Sequence, residues 1–427
     1  MQRTMKIALI GAGMFGGDVH ARAFADLQRM GISGNLGRVG LDRWARELAD
    51  VQFDLVAVAT RSRASAERAR ENFRASTGRT PGAYWGEKPW EDVLRDVPDL
   101  DVMAVVTPDH LHTEVTLAAL RNGTHVVMEK PMCLSIEEAD EIIELADAKG
   151  LVVCVDMHKR YDPDHLRVQH DLSTRIGEPL YGQAVLEEPL EVSTSTFKWA
   201  EQSDPFSYVG PHWTDLIYNY FRSKPVALSA VGQKKRLVRE GIDAYDAVQV
   251  RVEFDNGMSV YFHNNWITPD DFEGPVNQGH EIVGTDGKVE SDQQYRGLRF
   301  WYNGGGSRTV NNHMTRDVRR PDGSEAYIGY GVDSITVGLV AACRIKFLGE
   351  TREDVDGIYP TAADGRITVA IVDAARRVRD LNFRYLQEGK GTPVTARFGE
   401  DGITIIDPCR IDEGPEAVFQ RIYEKPI

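Results

Sequence analysis

Short apolar runs recur along the first third of the chain, at Met5 to Ile10, Asp54 to Ala59, Val102 to Val106, His125 to Met128 and Leu151 to Val155. A helix-like segment separates each from the next, and that alternation predicts a parallel, doubly wound sheet. Among the intervening segments, Ser65 to Phe73 is rich in Ala and Arg, and His112 to Asn122 carries an apolar stripe. Ser135-Ile136-Glu137-Glu138 opens another helix with a capping-box pattern, and Gly123 and Gly150 read as helix stops.

Past about Asp156 the pattern changes to extended segments: Leu180 to Glu187, Ala227 to Val231, Ala247 to Phe254, Ser259 to Asn264 and Glu281 to Val283. Turn sequences such as Asp255-Asn256-Gly257 and Thr285-Asp286-Gly287 punctuate them, which predicts an antiparallel sheet with few helices. A late helix is expected over about 361–386, followed by an extended tail over 392–427 that packs back on the body. The expected organisation is a Rossmann domain over 1–157 and an α+β domain over 158–427 built on an open, mostly antiparallel sheet.

Gly11-Ala12-Gly13-Met14-Phe15-Gly16 follows the first apolar run directly and opens a helix. In that setting Gly11 permits a tight turn, Gly13 lets the backbone approach a pyrophosphate, and Gly16 lets the helix pack on its strand, so a dinucleotide site is expected. Gly16 lies forty-four positions before Thr60, whereas the ribose-binding end of the second strand usually comes about 20 after the glycines. An insertion is therefore expected around 30–50, as a loop and short helix over the domain surface.

Composition narrows the function. The chain has 427 residues, with 50 Lys and Arg against 65 Asp and Glu, a net charge of −15. That length suits two domains, and the acidity argues against a nucleic-acid partner or an anionic membrane surface. No apolar stretch approaches the ~20 residues of a membrane span, and the N-terminal segment enters a strand directly, so the protein reads as cytoplasmic. Cys133, Cys154, Cys343 and Cys409 form no CxxC pair; they read as reduced packing residues, and no metal site is expected.

Two polar motifs fall just after predicted parallel strands, where open α/β sheets bind ligands: Thr107-Pro108-Asp109-His110-Leu111-His112 and Glu129-Lys130-Pro131. With the glycine turn, these motifs and Gly210-Pro211-His212-Trp213-Thr214-Asp215 resemble the glucose-fructose oxidoreductase and inositol dehydrogenase family (Gfo/Idh/MocA). Arg160-Tyr161-Asp162-Pro163 resembles the family's Arg-Phe-x-Pro stretch, and Thr361 to Arg366 its late helix start. Together these features span most of the chain in the family's order.

The resemblance implies an NAD(P)-dependent oxidoreductase of carbohydrate metabolism, a sugar or polyol dehydrogenase. Lys130 would reach the reacting hydroxyl and His212 would be its acid/base partner. Cofactor contacts would come from Gly11, Gly13, Met14, Phe15, Gly16, Thr60, Arg61, Ser62, Thr107, Pro108, His110, His112, Glu129 and Lys130. It also implies a homodimer or homotetramer joined through the outer face of the second sheet.

One position departs from the family pattern. Many members carry Asp four residues before this histidine, where this chain has Tyr208. A phenol with an unperturbed pKa near ~10 cannot serve as a carboxylate. Either Lys130 and His212 suffice, with Tyr208 completing the catalytic set by binding a substrate hydroxyl, or the chemistry is not plain alcohol oxidation; Tyr208 equally reads as an apolar wall. At the expected end of the second strand, Thr60-Arg61-Ser62-Arg63 stands where an acidic residue would bind a ribose 2′-hydroxyl. That set favours a 2′-phosphate, and hence NADP over NAD.

Arg160, Lys198, Trp199, Tyr208 and Asp215 are candidate substrate contacts, with Lys159 and Trp266 nearby in the same reading, because aromatic faces and polar groups suit a sugar ring. Two further readings stay open. One is an NAD-dependent glycoside hydrolase that oxidises a ring hydroxyl transiently, eliminates the glycosidic group, adds water and returns the hydride. The other is a non-catalytic regulator that keeps the nucleotide fold.

Overall fold

The computed structural model describes residues 3–321, 323, 325–399 and 402–409. The chain divides into two compact units: residues up to Gln169 together with Asn312–Val369, and His170–Asn311 together with residues from Ala370 onward. The first unit thus takes in 312–369, a stretch that lies within 158–427.

In the first unit, β1 (Arg3–Ile10), β2 (Val51–Thr60), β3 (Gly82–Trp85), β4 (Val102–Val105), β5 (His125–Met128) and β6 (Val153–Val155) form one sheet in the order β3-β2-β1-β4-β5-β6. Every pairing is parallel. This is the doubly wound order that the alternation of runs implies. All residues of β4 and β5 are buried, as a parallel sheet clad on both faces requires. Strand alternation sends Met5, Ile7 and Leu9 into one core layer and Ala8 and Ile10 into the other.

The surrounding helices are α1 (Ala21–Met30), α2 (Ser33–Leu36), α3 (Arg63–Thr77), α4 (Pro89–Asp96), α5 (His112–Arg121) and α6 (Ile136–Lys149). Ser135 caps α6 by accepting the Glu138 N–H, while the Glu138 carboxylate accepts from Leu134 one residue upstream of the reciprocal bond a capping box would make. The insertion at 30–50 differs from expectation. It contains α2 and tight turns, but Ile32, Leu36, Leu41, Trp44 and Leu48 are buried in the same core layer as Met5 and Leu9. Its apolar side chains decide its place, and it is part of the core instead of a surface loop.

After α7 (Pro163–Arg175), the second unit contains β7 (Pro179–Pro189), α8 (Pro205–Phe221), β8 (Pro225–Gln233), α9 (Arg236–Arg239), β9 (Ala247–Phe254), β10 (Ser259–Thr268), β11 (Asn277–Gly284) and β12 (Lys288–Asp292). A hairpin of β13 (Arg299–Tyr302) and β14 (Gly306–Thr309) follows. The chain then re-enters the first unit with hairpin β15 (Arg316–Arg319) and β16 (Glu325–Ile328), then α10 (Tyr330–Leu348) and α11 (Arg352–Val355). The late helix, α12 (Ala362–Gln387), matches its expected span.

β17 (Thr395–Gly399) and β18 (Gly402–Ile406) complete an eight-stranded sheet, β12-β11-β7-β10-β9-β8-β17-β18. Only the β7–β10 pairing is parallel. The expected tail therefore begins as the last two strands of this sheet, β18 at its edge; residues 410–427 of it lie outside the described residues.

Few helices were expected past Asp156, yet α8 and α10 are long. In α10 the first fifteen residues, Tyr330 to Arg344, are all buried, and α8 is nearly as enclosed. A helix buried on nearly every side needs no solvated polar face, so it lacks the clear amphipathic period by which the sequence pattern finds helices, and both are missed. No helix among the described residues is long and apolar enough to cross a membrane.

Candidate active site

The carboxyl ends of the parallel strands carry the polar motifs. Gly11 leaves β1 with φ +94°, and a Cβ there would meet the Val106 carbonyl oxygen at 2.1 Å. One on Gly16 would meet the Gly11 carbonyl at 2.2 Å. Only glycine fits either place, because the turn and the helix start pass within contact distance of each other. A Cβ on Gly13, by contrast, would meet nothing within 4 Å. The loop thus presents open backbone at a helix start, the shape that admits a pyrophosphate. Thr107 Oγ1, at the end of β4, is buried with no hydrogen-bond partner in the structure. Both features fit a bound dinucleotide.

The turn after Gly16 is a π-helical turn over Gly16–His20, closed by the Ala21 N–H donating to the Gly16 carbonyl. It brings His20 inward to full burial. There Nε2 donates to Glu129 Oε1 at 2.9 Å and lies 3.4 Å from Asp156 Oδ2. Ligand atoms of all three side chains fall within 4.8 Å of one another. Burial alone would lower the His20 pKa, but Asp156 and Glu129 outweigh it and raise it to about 9. Burial and the neighbouring Asp156 charge push Glu129 up to about 7. Burial likewise acts upward on Asp156, but the hydrogen bond and charge of His20 win and hold it below its usual range.

His158 is stacked between Phe15 and Tyr330, with ring centroids 5.6 Å from each. Burial lowers its pKa to about 3, so it is neutral. His20, Asp156 and His158 are absent from the residues singled out in the sequence. The available signals were the strand-end position of Asp156, matching that of Glu129, and a histidine four residues beyond Gly16.

Glu129 and Lys130 are buried at the end of β5, and the Lys130–Pro131 bond is cis. The ring of His112 joins this motif to the one after β4. Its Nδ1 lies 2.7 Å from the Pro131 carbonyl oxygen and its Nε2 2.8 Å from that of Thr107. Pro108 and His110 are exposed, as are Gly13 and Met14, while Phe15 is half-buried.

At the end of β2, the Thr60 hydroxyl donates to the Ser62 carbonyl, and Ser62 caps α3 by accepting the Ser65 N–H. Arg61 is exposed there, and Arg63 lies over the Trp85 ring. Arg160 is buried in the first unit, where its Nη1 donates to Asp364 Oδ2 at 3.1 Å and ties the start of α12 to the sheet.

In the second unit, Tyr208, His212 and Asp215 lie on α8 at i, i+4 and i+7, one stripe of the helix. His212 and Asp215 are buried and Tyr208 is half-buried. Tyr208 packs edge-on to Phe197 at 4.7 Å and against Trp199 at 5.3 Å. Trp199 stacks on Phe197, and Lys198 is exposed beside them. Trp266 lies at the back of this group, wholly buried, its indole N–H donating to Glu188 at 2.7 Å. Its ring is therefore core, whereas Trp199 and Tyr208 retain some exposure.

The N-terminus of α8 is held by Asp204, which accepts the Phe206 and Ser207 N–H groups and pairs with the buried Arg379 at 2.5 Å. Burial would raise the Asp204 pKa, but the guanidinium outweighs it and keeps the carboxyl below its usual range.

Comparison with known proteins agrees with this architecture. Over 203 residues, 47% of this chain and 59% of the relative, the sequence is 28% identical to a 1,5-anhydro-D-fructose reductase of Ensifer adhaerens. Over 83 residues, 19% of this chain and 23% of the relative, it is 39% identical to an NADP(+) scyllo-inositol 2-dehydrogenase of Bacillus subtilis. The matches thus span less than two thirds of these curated relatives. The crystal structure of a scyllo-inositol dehydrogenase from Lactobacillus casei with NAD(H) and scyllo-inositol superposes with a TM-score of 0.64 at 16% identity, covering 89% of this chain and 98% of the other. That likeness concerns the fold.

The family model described as "Oxidoreductase family, NAD-binding Rossmann fold" matches residues 5–157, and the "GFO/IDH/MocA C-terminal domain" matches 172–290. With matched domains in the order its motifs imply, the chain belongs to the Gfo/Idh/MocA family.

Proposed function

We propose that the protein is an NAD(P)-dependent oxidoreductase that transfers hydride between a hydroxyl-bearing carbon of a sugar, polyol or sugar derivative and nicotinamide. The observation that carries this reading is the grouping, on neighbouring strand ends of one sheet, of an open glycine turn, the unpartnered Thr107 hydroxyl and the Glu129-Lys130-Pro131 motif. A nicotinamide cofactor bound at those strand ends supplies the hydride acceptor. Lys130 polarises the reacting hydroxyl, and His212 exchanges its proton near neutral pH.

The partly exposed rings of Trp199 and Tyr208 support stacking on the C–H faces of a sugar, with Lys198 and Asp215 as polar contacts. NADP is preferred, supported by exposed Arg61 at the end of β2, where no carboxylate stands. A homodimer or homotetramer forms through the outer sheet face of the second unit, where Tyr181 and Tyr261 are about half exposed.

The test incubates the protein with NAD or NADP and a panel of free sugars, polyols and chromogenic glycosides, following reduced nicotinamide and released aglycone together. Accumulating reduced cofactor without aglycone is the expected result. Catalytic aglycone release with no net reduced cofactor would replace this reading with redox-neutral glycoside hydrolysis.

A further inference from the structure

The His20, Glu129 and Asp156 side chains hold two carboxylates and one imidazole in a pocket with no exposed member. The Nε2 proton of His20 faces both acids, Glu129 at 2.9 Å and Asp156 at 3.4 Å, and can serve only one of them well. With all three groups ionised, the cluster carries one negative charge more than it can neutralise internally. Two buried carboxylates this close cannot both be comfortably ionised, so a second proton has a place between them.

Charged, polar and aromatic side chains from several elements surround the cluster. Lys130 follows Glu129 at the end of β5, and His158 and Lys159 follow Asp156 beyond β6. Phe15 and Phe24 set their rings against His20, and α10 contributes Tyr330 over His158 and Ser334 near Asp156. The position is also particular: the cluster is built from the turn after Gly16 and from the carboxyl ends of β5 and β6, beside the motifs proposed to receive the cofactor.

We propose that His20, Glu129 and Asp156 form a buried proton-exchange site, linked to the redox state of the nicotinamide cofactor. His20 and Asp156 act as positioning residues through Glu129. The oxidised nicotinamide ring carries a positive charge that the reduced ring lacks. When the oxidised form binds at the strand ends, that charge takes over the neutralising role of the second proton, and the proton leaves to solvent. The reduced form leaves the proton in place. Glu129, half protonated near pH 7, is the group that loses it. This rests on the reading of the first unit as a nicotinamide site, but not on the identity of the sugar.

Calorimetric titration of the full-length protein with the oxidised and reduced cofactor, in buffers of different ionisation enthalpy, counts the protons exchanged. The expected result near pH 7 is release of roughly half a proton with the oxidised form and close to none with the reduced form. Asp156→Asn and Glu129→Gln should each abolish that difference, whereas a merely structural role would shift thermal stability and leave it unchanged.

The wild-type protein gives a second readout that needs no variant. Affinity for the oxidised cofactor should rise with pH across neutrality, by up to about tenfold per pH unit, while affinity for the reduced form stays flat. Equal proton counts for the two forms, or a difference that survives both variants, overturns the proposal. So does a stoichiometric divalent ion in the purified protein that Asp156→Asn loses. Failure of either form to bind would overturn the nicotinamide reading as well, whereas proton exchange without turnover of any sugar would leave this inference standing and sink only the dehydrogenase reading.

Discussion

The ring of His112 lies 2.7 Å from the carbonyl oxygen of Pro131, nineteen residues further along the chain. With its other nitrogen at the Thr107 carbonyl, it fastens the end of β4 to the turn that carries Lys130. Burial lowers its pKa. A neutral ring has one N–H to give to one of these two carbonyls, and His112→Phe keeps the approximate shape and removes that donor. We expect a loss of about 1–3 kcal/mol in denaturant unfolding and, because the lysine turn is released, a fall in turnover of about 100-fold.

Lys130→Met should abolish hydride transfer with folding intact. A positioned acid or base contributes about 10²–10⁴-fold, so steady-state turnover should fall by at least about 100-fold while the circular dichroism spectrum is unchanged. A variant of full activity would remove Lys130 from the mechanism.

Arg61→Ala tests the preference for a 2′-phosphate. Losing a charge-assisted hydrogen bond costs about 1.5–3 kcal/mol, so the dissociation constant for NADP should rise about tenfold or more, with that for NAD little changed. Equal effects on both would place Arg61 outside the ribose site.

The Asp204–Arg379 pair is buried on both sides. Removing one partner of a buried pair costs about 3–5 kcal/mol where the other is left with no counter-charge, and because Arg379 keeps the exposed Asp380 at 2.8 Å the loss should lie at the lower end, about 3 kcal/mol. Asp204→Ala should show this in chemical denaturation. Asp204→Asn should cost about 1 kcal/mol less, because asparagine still caps α8.

Stability should fall on acidification. Burial lowers His125 to about 4, and its Nδ1 accepts the Val152 N–H only when unprotonated; burial lowers His158 to about 3. Unfolded imidazoles titrate near about 6.5. Below that pH the unfolded chain takes up protons that the folded chain refuses. The stability from these neutral rings is therefore complete above about 6.5 and is lost as pH falls toward 4 and 3, on the order of 3 kcal/mol for His125 alone. Urea melts between pH 7.5 and pH 4.5 measure this, and His125→Gln should flatten the slope. His20, raised to about 9, has the opposite sign: its contribution is complete below about 6.5 and is lost as pH rises through 9.

Much of the first unit was legible in the sequence. Parallel strands buried on both faces are written as short apolar runs, so β1, β4 and β5 fell within two residues of their expected ends. Local chemistry was equally readable: Ser135 caps its helix, and the glycines occupy the close approaches that exclude a Cβ. β3 and α4 were missed because each is short, four and eight residues, with little room for a period. α8 and α10 were missed because helices enclosed by protein need no solvated polar face to mark their period.

By itself, then, the sequence determined what local rules can specify: strand and helix alternation, turn glycines, caps, and motifs whose residues lie close together in the chain. Tertiary structure alone decided which distant side chains meet. The ring of His20 finds Glu129 and Asp156, 109 and 136 positions away, only because a π-helical turn points it inward and β5 and β6 end side by side. Arg160 meets Asp364 and Trp44 enters the core for the same reason. The physical difference is that hydrophobic period and capping act within a few residues, whereas a buried charge is satisfied by whatever the folded sheet brings beside it, at any distance along the chain.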